Sequence, residues 1–125
     1  MRSRIRLALV YACSCLPLPA LAQADYPGAL WNQAHVENFS VSSRPTSTPI
    51  QYVVVHITEG SYSGAISWFK NPASEVSAHF VVRSADGQIT QMVREKDIAW
   101  HAGVWWYNQR SIGIEHEATS TSASW

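Results

Sequence analysis

Apolar residues fall into short runs along this chain, and the runs have the lengths of strands and of one short helix. Residues 52–55, Tyr-Val-Val-Val, are β-branched or aromatic without alternation. This pattern predicts a strand over residues 51–58 that is covered on both faces inside an α/β sheet, with strands on either side. The run turns polar at His56, before Gly60. Ligands bind beyond the carboxyl ends of strands in open α/β sheets, so a site is expected at His56.

A short helix and a hairpin follow this strand. Residues 63–70 predict the helix, because Ile66 and Phe69 fall on one face and Pro72 ends the segment. Residues 77–83 and 88–93 predict two strands, joined by the turn residues Ala85 to Gly87. The alternation of strands with a helix predicts one small α/β domain with a mixed central sheet flanked by helices.

A further strand is predicted over residues 111–117. Ile112 and Ile114 fall on one face, and Gly113, Glu115 and Glu117 fall on the other. The serine- and threonine-rich residues 118–125 have no periodicity and predict an unstructured tail.

Residues 25–49 contain proline and glycine turn signals, which predict an irregular N-terminal arm. We expect Trp31 and Phe39 to hold this arm against the core. The predicted organisation is therefore a leader over residues 1–24, the arm, a partial domain over residues 50–117, and the tail.

The leader has the pattern of a secretory signal peptide. Arg2, Arg4 and Arg6 precede an apolar run over residues 7–16, which is too short to span a bilayer. Small residues then offer cleavage sites ending at Ala22 and Ala24. We expect cleavage near one of these, and a secreted or extracytoplasmic protein in the periplasm or cell wall.

The cysteine content and the net charge limit which metal ligands and binding partners the protein can have. Both cysteines, Cys13 and Cys15, lie in the leader, so the mature protein would have neither a disulfide nor a thiolate ligand. The formal net charge is zero and falls to about −3 without the three leader arginines. The chain has no clustered basic face, which excludes a nucleic-acid footprint. We expect a monomer that does not bind membranes once the leader is removed.

Candidate chemistry lies at five positions, His56, His79, Trp100, His101 and Glu115. Taken singly, a strand histidine is more often structural, a strand glutamate more often solvated, and a tryptophan more often packed. Their order within longer strings carries more information. The strings are residues 53–58 (Val-Val-Val-His-Ile-Thr), 77–82 (Ser-Ala-His-Phe-Val-Val), 86–89 (Asp-Gly-Gln-Ile), 99–103 (Ala-Trp-His-Ala-Gly) and 111–115 (Ser-Ile-Gly-Ile-Glu).

In this order, residues 52–117 resemble the zinc-dependent N-acetylmuramoyl-L-alanine amidases related to phage lysozyme-type amidases and peptidoglycan recognition proteins. The resemblance implies a peptidoglycan-recognition/amidase-like fold and hydrolysis of the amide between N-acetylmuramic acid and L-alanine in peptidoglycan. It implies that His56 is the first Zn²⁺ ligand and that Glu115 moves protons for the attacking water. It further implies a substrate groove formed by Trp100 and His101, with His79 beside them.

The chain departs from the family pattern after Glu117. The pattern implies a further helix, a second histidine ligand and then an aspartate or cysteine, and none of these follows here. We therefore expect the C-terminal part of the domain to be missing and the activity of this chain to be doubtful. A fragment of a longer product and a truncated chain both stay open, and the change of composition at Ala118 favours the second slightly.

Two other functions are weighed against the amidase. One is a non-catalytic peptidoglycan-binding module, because the same fold serves in recognition proteins. The other is an unrelated secreted binding domain, which five ordered strings disfavour.

Overall fold

The structure is a computed structural model that describes residues 23–121, and the leader as far as residue 22 and the last four residues lie outside this part. Seven strands and two α-helices form within it. They are β1 (Leu30–Trp31), β2 (Phe39–Ser40), β3 (Tyr52–Ile57), α1 (Tyr62–Phe69), β4 (Phe80–Val82), β5 (Ile89–Gln91), β6 (Ile98–Ala99), α2 (Trp105–Arg110) and β7 (Ser111–His116), with short 3-10 helices at Val36–Asn38 and Pro72–Ser74.

Five strands form one mixed sheet in the order β1-β5-β4-β7-β3, and β2 pairs with β6 in a small second sheet. β7 runs parallel to both β3 and β4, whereas β4 and β5 form an antiparallel hairpin. Gly87 in the hairpin turn has φ +72°, a conformation that favours glycine. The α/β class, the mixed sheet, the hairpin, the helix and the strand after residue 110 are therefore confirmed.

The predicted place of β3 within the sheet is wrong. β3 is an edge strand among the described residues, and Val53 and Val55 are 63% and 51% exposed. An unbroken apolar run indicates that both faces of a strand are apolar, but it does not indicate whether other strands pair with one edge or with both edges of that strand. Val53 and Val55 lie on the face of β3 and β7 that also carries Ile112 and Ile114, and we call it the open apolar face.

The opposite face of the hairpin carries the core. Ser61 caps the N-terminus of α1, because its Oγ accepts a hydrogen bond from Gly64 N at 3.1 Å, and the helix buries Phe69 in its last turn. The buried core then continues through the hairpin into the loop before α2. Its members are Ala34, Phe69, Ala78, Val81, Met92, Val93 and Ala99.

The N-terminal arm is more regular than the sequence indicates. It supplies β1, which pairs in parallel with β5, and β2, which pairs with β6. Phe39 packs against the core, and the guanidinium of Arg94 lies 4.0 Å from the ring centre of Trp31, so both aromatic residues hold the arm. Residues 118–121 form neither helix nor strand.

No helix within residues 23–121 combines the length and the apolar character that a membrane crossing needs. The leader lies almost entirely outside this part of the chain, so its predicted cleavage stays a prediction.

Candidate active site

The candidate site lies at the carboxyl ends of β3 and β7. Because the two strands are parallel and in register, His56 and Glu115 are direct Cα partners across them. Paired residues on adjacent strands have their side chains on the same face of the sheet. The side chains of His56 and Glu115 therefore both project from the face opposite to the one that carries Ile112 and Ile114. The neighbouring placement of these two residues agrees with the alternation read from the sequence.

His101 joins the pair from the loop that precedes α2. Its ring packs over Gly113 of β7, where a Cβ atom would come within 2.4 Å of the imidazole Cγ. The loop is fixed by Asn108, whose Oδ1 accepts hydrogen bonds from His101 N at 3.1 Å and from Ala102 N at 2.8 Å. Glycine at position 113 therefore makes room for a histidine that a fixed loop holds against the sheet.

A chain of hydrogen bonds determines the tautomers of both histidines. The Ser111 hydroxyl donates to Tyr107 O at 2.6 Å, so its oxygen accepts from His101 Nε2 at 3.0 Å. His101 Nδ1 is then the acceptor, and His56 Nε2 donates to it at 3.1 Å. Within residues 23–121, this leaves His56 Nδ1 as the ring nitrogen with a free lone pair.

Both imidazoles are held neutral by their surroundings. Burial, followed by the charges of His56 and Arg44, lowers the pKa of His101 to about 4. Burial also lowers the pKa of His56 below its ordinary value. A neutral imidazole is the form that binds a metal or accepts a proton.

Glu115 has the opposite shift. Burial raises the pKa of its carboxyl to about 7, and Oε2 is buried with no hydrogen-bond partner among the described residues. A buried, unpartnered carboxylate oxygen needs an explanation, and a pKa near neutrality is what a group that takes and returns protons requires.

Glu115 and His101 line a cavity of about 420 Å³, which we call the first cavity. Trp68 of α1, Val76 and Trp100 form its apolar walls, and the loop after β3 closes one end with Thr58 and Gly60. Trp100 is fixed there, because its Nε1 donates to Ser40 Oγ at 3.1 Å and its backbone N donates to Ser77 Oγ at 3.2 Å. The family resemblance implies that Trp100 and His101 form the wall of a substrate groove, and both residues line this cavity.

His79 lies in the interior rather than at the groove. It is fully buried, its Nδ1 accepts from Gly113 N at 3.0 Å, and its Nε2 donates to Asp97 O at 3.2 Å. Its ring centre is 5.9 Å from that of His101. His79 therefore supports His101 and Gly113 from behind, and the predicted contact with substrate does not follow from this position.

Arg44 is a residue that the sequence analysis missed. It is 4% exposed and donates to five backbone carbonyls, those of Glu95, Asp97, Asn108, Gln109 and Ser111. Its Nη2 lies 2.7 Å from His79 Nε2. An arginine between serine and proline in a turn-rich segment gives no signal of such burial, because its partners are carbonyls distant in the sequence.

The described residues do not form a complete metal site. No group of three or more histidine, cysteine or acidic side chains is arranged to hold a metal ion within residues 23–121. A catalytic zinc site takes three protein ligands and a water. His56, with its free Nδ1, is suited to be one of the three.

The overall fold and this site define the class of protein. The chain resembles a solved structure described as a mutant endolysin from Bacillus subtilis, with a TM-score of 0.57 and 25% identity, over 76% of this chain and 64% of that one. Among curated proteins, it is 50% identical over 99 residues to N-acetylmuramoyl-L-alanine amidase A of Achromobacter lyticus. It is 36% identical over 76 residues to N-acetylmuramoyl-L-alanine amidase CwlA of Bacillus subtilis (strain 168).

These matches cover 79% and 57% of this chain, but only 52% and 27% of the two relatives, so the chain spans about half or less of their length. The family model described as N-acetylmuramoyl-L-alanine amidase matches residues 46–125. The chain therefore belongs to the N-acetylmuramoyl-L-alanine amidase family, which is generally zinc-dependent.

Proposed function

We propose that the site hydrolyses the amide between N-acetylmuramic acid and L-alanine in peptidoglycan. The observation that carries this proposal is the buried Oε2 of Glu115, which has no hydrogen-bond partner within residues 23–121. Glu115 lines the first cavity and is the Cα partner of His56 on the neighbouring strand. The names of the two curated relatives support the same reaction.

In this proposal Glu115 is the proton carrier. It accepts a proton from the attacking water, whose oxygen bonds to the lactyl carbonyl carbon. It then gives the proton to the alanine nitrogen as the C–N bond breaks, so the products are a lactyl carboxylic acid and a free amino group. A pKa of about 7 suits both halves of this cycle near neutral pH.

The other site residues have supporting roles. Trp100 and His101 bind substrate at the cavity wall, and His79 positions His101 from the interior. We assign His56 as one Zn²⁺ ligand through Nδ1, with His101 orienting its ring by accepting from Nε2. The remaining ligands are not supplied by residues 23–121.

A second candidate is a non-catalytic peptidoglycan-binding module. The observation that favours it is the incomplete ligand set among the described residues, together with an open cavity. Removal of zinc separates the two candidates. A binding module keeps its affinity for muramyl peptide without the metal, whereas the amidase loses its activity.

We further propose action outside the cytoplasm, at the cell wall, by a monomer that is secreted by the leader over residues 1–24. N-terminal sequencing of the exported protein tests the leader, and a mature chain that begins at Met1 contradicts it.

The test of the reaction is the release of free L-alanine amino termini from purified peptidoglycan. Two proteins are compared, residues 25–125 and the product extended by any coding sequence past codon 125. We expect zinc-dependent release from a protein with a complete ligand set and little from residues 25–125. Robust zinc-dependent release by residues 25–125 would contradict the assignment of an incomplete site.

Glu115→Gln in the active protein is expected to lower the rate by about 10²–10⁴-fold, because the proton carrier is lost. The zinc content, measured by mass spectrometry, should stay the same. Glu37→Gln is the matched control, since Glu37 is an exposed carboxylate far along the chain from the site. Full activity in the Glu115→Gln protein would contradict the role assigned to Glu115.

A further inference from the structure

Ser111 joins the candidate site to the backbone of α2. It is the first residue of β7, its side chain is fully buried, and its own carbonyl accepts from Arg44 Nη1 at 2.9 Å, so the hydroxyl is held in a fixed place. Ser111 Oγ lies 2.6 Å from Tyr107 O and 3.0 Å from His101 Nε2. A carbonyl oxygen can only accept, so the hydroxyl hydrogen points to Tyr107 and the Ser111 oxygen accepts from His101.

His101 transmits this direction to His56. A neutral imidazole has one N–H donor and one bare acceptor nitrogen. Because His101 Nε2 donates to Ser111, His101 Nδ1 is bare and accepts from His56 Nε2, 3.1 Å away. The bare nitrogen of His56 is then Nδ1. A serine that does not contact His56 thus determines which of its two nitrogens carries the proton.

The same atoms allow an opposite arrangement, which the Ser111 hydroxyl disfavours. In that arrangement His101 Nδ1 donates to His56 Nε2, and His101 Nε2 accepts from the Ser111 hydroxyl. The hydroxyl has only one hydrogen, so Tyr107 O loses its donor and faces the Ser111 oxygen at 2.6 Å with no hydrogen between them. Two oxygens with partial negative charge repel each other at this distance. The hydroxyl therefore selects one of two tautomeric arrangements.

We propose that Ser111 is a positioning residue that selects the tautomer of His56 through His101, so that Nδ1 keeps its lone pair for a metal ion. This proposal rests on the proposed function, which makes His56 a Zn²⁺ ligand. A metal binds the bare nitrogen of a neutral imidazole, and the hydrogen bond of the other nitrogen decides which one is bare. In the opposite arrangement His56 Nδ1 carries a proton, and the metal loses this ligand atom.

The test reads the tautomers of both histidines from imidazole ¹⁵N chemical shifts in the mature chain, at neutral pH and without added metal. Protonated and bare ring nitrogens have well separated shifts. Burial lowers the pKa of both rings, so both are neutral under these conditions. In the unchanged protein we expect the proton on Nε2 of His56 and of His101, with Nδ1 bare in both rings.

Two variants of Ser111 remove the selection. Ser111→Ala takes away the acceptor of the His101 Nε2 proton, and Ser111→Cys fills the same space with a much weaker acceptor, which leaves no room for a water molecule in its place. In both variants we expect His56 Nδ1 to shift toward the protonated value and His56 Nε2 toward the bare value. Ser111→Thr keeps the hydroxyl and should keep the shifts of the unchanged protein.

Ser77→Ala is the matched control. Ser77 is also a buried serine, and its Oγ donates to Asn38 O at 2.7 Å and accepts from Trp100 N at 3.2 Å. Its replacement therefore removes one bond to a carbonyl and one from an N–H group, as Ser111→Ala does, but neither bond involves a histidine. The control should lose stability without any change in the imidazole shifts, whereas a merely structural role of Ser111 predicts that the two alanine variants behave alike.

A proton on Nδ1 of His56 in the unchanged protein would overturn the proposal. Imidazole shifts in Ser111→Ala and Ser111→Cys that equal those of the unchanged protein would overturn it as well. The unchanged protein gives the first result by itself, so a variant that fails to fold does not remove the test. The tautomers are measured without metal or substrate, so a failure of the amidase reaction leaves this result unaffected and the two proposals fail separately.

Discussion

His101 links the site to the interior at the scale of single residues. It receives a hydrogen bond from His56, donates one to Ser111 and lies against His79, so three other side chains fix one imidazole. Gly113 makes this packing possible by leaving space for the ring. The free lone pair of His56 thus depends on a hydrogen-bond chain that ends at the carbonyl of Tyr107.

His79 contributes to the pH dependence of stability, beside His101 and His56, whose pKa values are also lowered. Burial and the nearby Arg44 charge lower its pKa to about 3 in the folded chain, against 6.5 as the ordinary value. The unfolded chain therefore binds more protons between pH 6.5 and about 3, so the stability that His79 contributes is present above pH 6.5 and is lost as pH falls. The slope approaches about 1.4 kcal/mol per pH unit for one histidine.

His79→Asn tests this, because an asparagine Oδ1 can still accept from Gly113 N. Denaturant unfolding between pH 6.5 and 4.5 should show a shallower loss of unfolding free energy in this variant. Glu115, with a pKa raised to about 7, contributes the opposite slope, and His101, with a pKa lowered to about 4, contributes a slope of the same sign. Both residues are present in both proteins, so their contributions cancel in the comparison. His35→Asn, at a partly exposed histidine, is the control, and an equal slope in all three proteins would contradict the prediction.

At the scale of elements, Arg44 of the N-terminal arm connects the arm by hydrogen bonds to two other segments, one at the junction of α2 and β7 and one at the turn before β6. Nη1 binds carbonyls at the end of α2 and the start of β7, while Nη2 binds carbonyls of the turn before β6. The cation also lies at the C-terminus of α2, where the helix dipole favours positive charge. The loop that carries His101 therefore depends on a residue of the N-terminal arm.

Arg44→Met is expected to lower the free energy of unfolding by about 3–5 kcal/mol, because several buried carbonyls lose their donors. Arg44→Lys should lose less, since an ammonium keeps the charge and three donors. The measurement is denaturant unfolding. Arg83→Met is the control, because Arg83 pairs with Asp86 at an exposed site, and it should lower the free energy of unfolding far less than Arg44→Met does. Equal losses for the two methionine variants would contradict this role of Arg44.

The sequence predicted those helices and strands whose own residues show a recognisable pattern, such as a β-branched run, a turn or an alternation. The β-branched run gave β3, the turn at Gly87 gave the hairpin, and alternation around Gly113 gave the faces of β7. α2 was not predicted, because Trp105–Arg110 contains three consecutive aromatic residues and no side chain caps its start. β1 and β2 are two residues long and exist only through pairing with distant strands.

Some residues of the candidate site could likewise be predicted from the sequence, and others could not. His56, Trp100, His101 and Glu115 were singled out through ordered strings. Trp100, His101 and Glu115 line the first cavity, and His56 is bonded to His101 and paired in register with Glu115. The burial of His79 and Arg44 was not predictable, because it depends on which backbone groups the fold brings beside them. Local sequence specifies the groups at the surface of the groove better than the groups that support it.

At the scale of the whole molecule, the apolar surface is distributed unevenly between the two faces of the sheet. α1 and the core cover one face of the hairpin, whereas Val53 and Val55 of the open apolar face are more than half exposed. Phe80, Val82, Ile89 and Ile114 continue this face around a cavity of about 260 Å³. β3 also presents an unpaired edge among the described strands, which favours contact with other copies of the chain.

This surface leads to the last prediction, that the mature chain is marginally stable and prone to aggregate. Burial contributes about 25 cal/mol per Å² of apolar area, so leaving several hundred Å² uncovered forgoes several kcal/mol of the ~5–15 kcal/mol that domains have. The double variant Val53→Thr with Val55→Thr should reduce binding of a hydrophobic dye and slow aggregation, because threonine keeps β-propensity and adds a hydroxyl. The matched control is Val36→Thr with Val41→Thr, at valines that are 65% and 81% exposed but lie outside this face, and it should leave both measurements unchanged. A cooperative melt of the unmodified chain above about 60 °C without dye binding, at the upper end of the range for ordinary domains, would contradict the prediction.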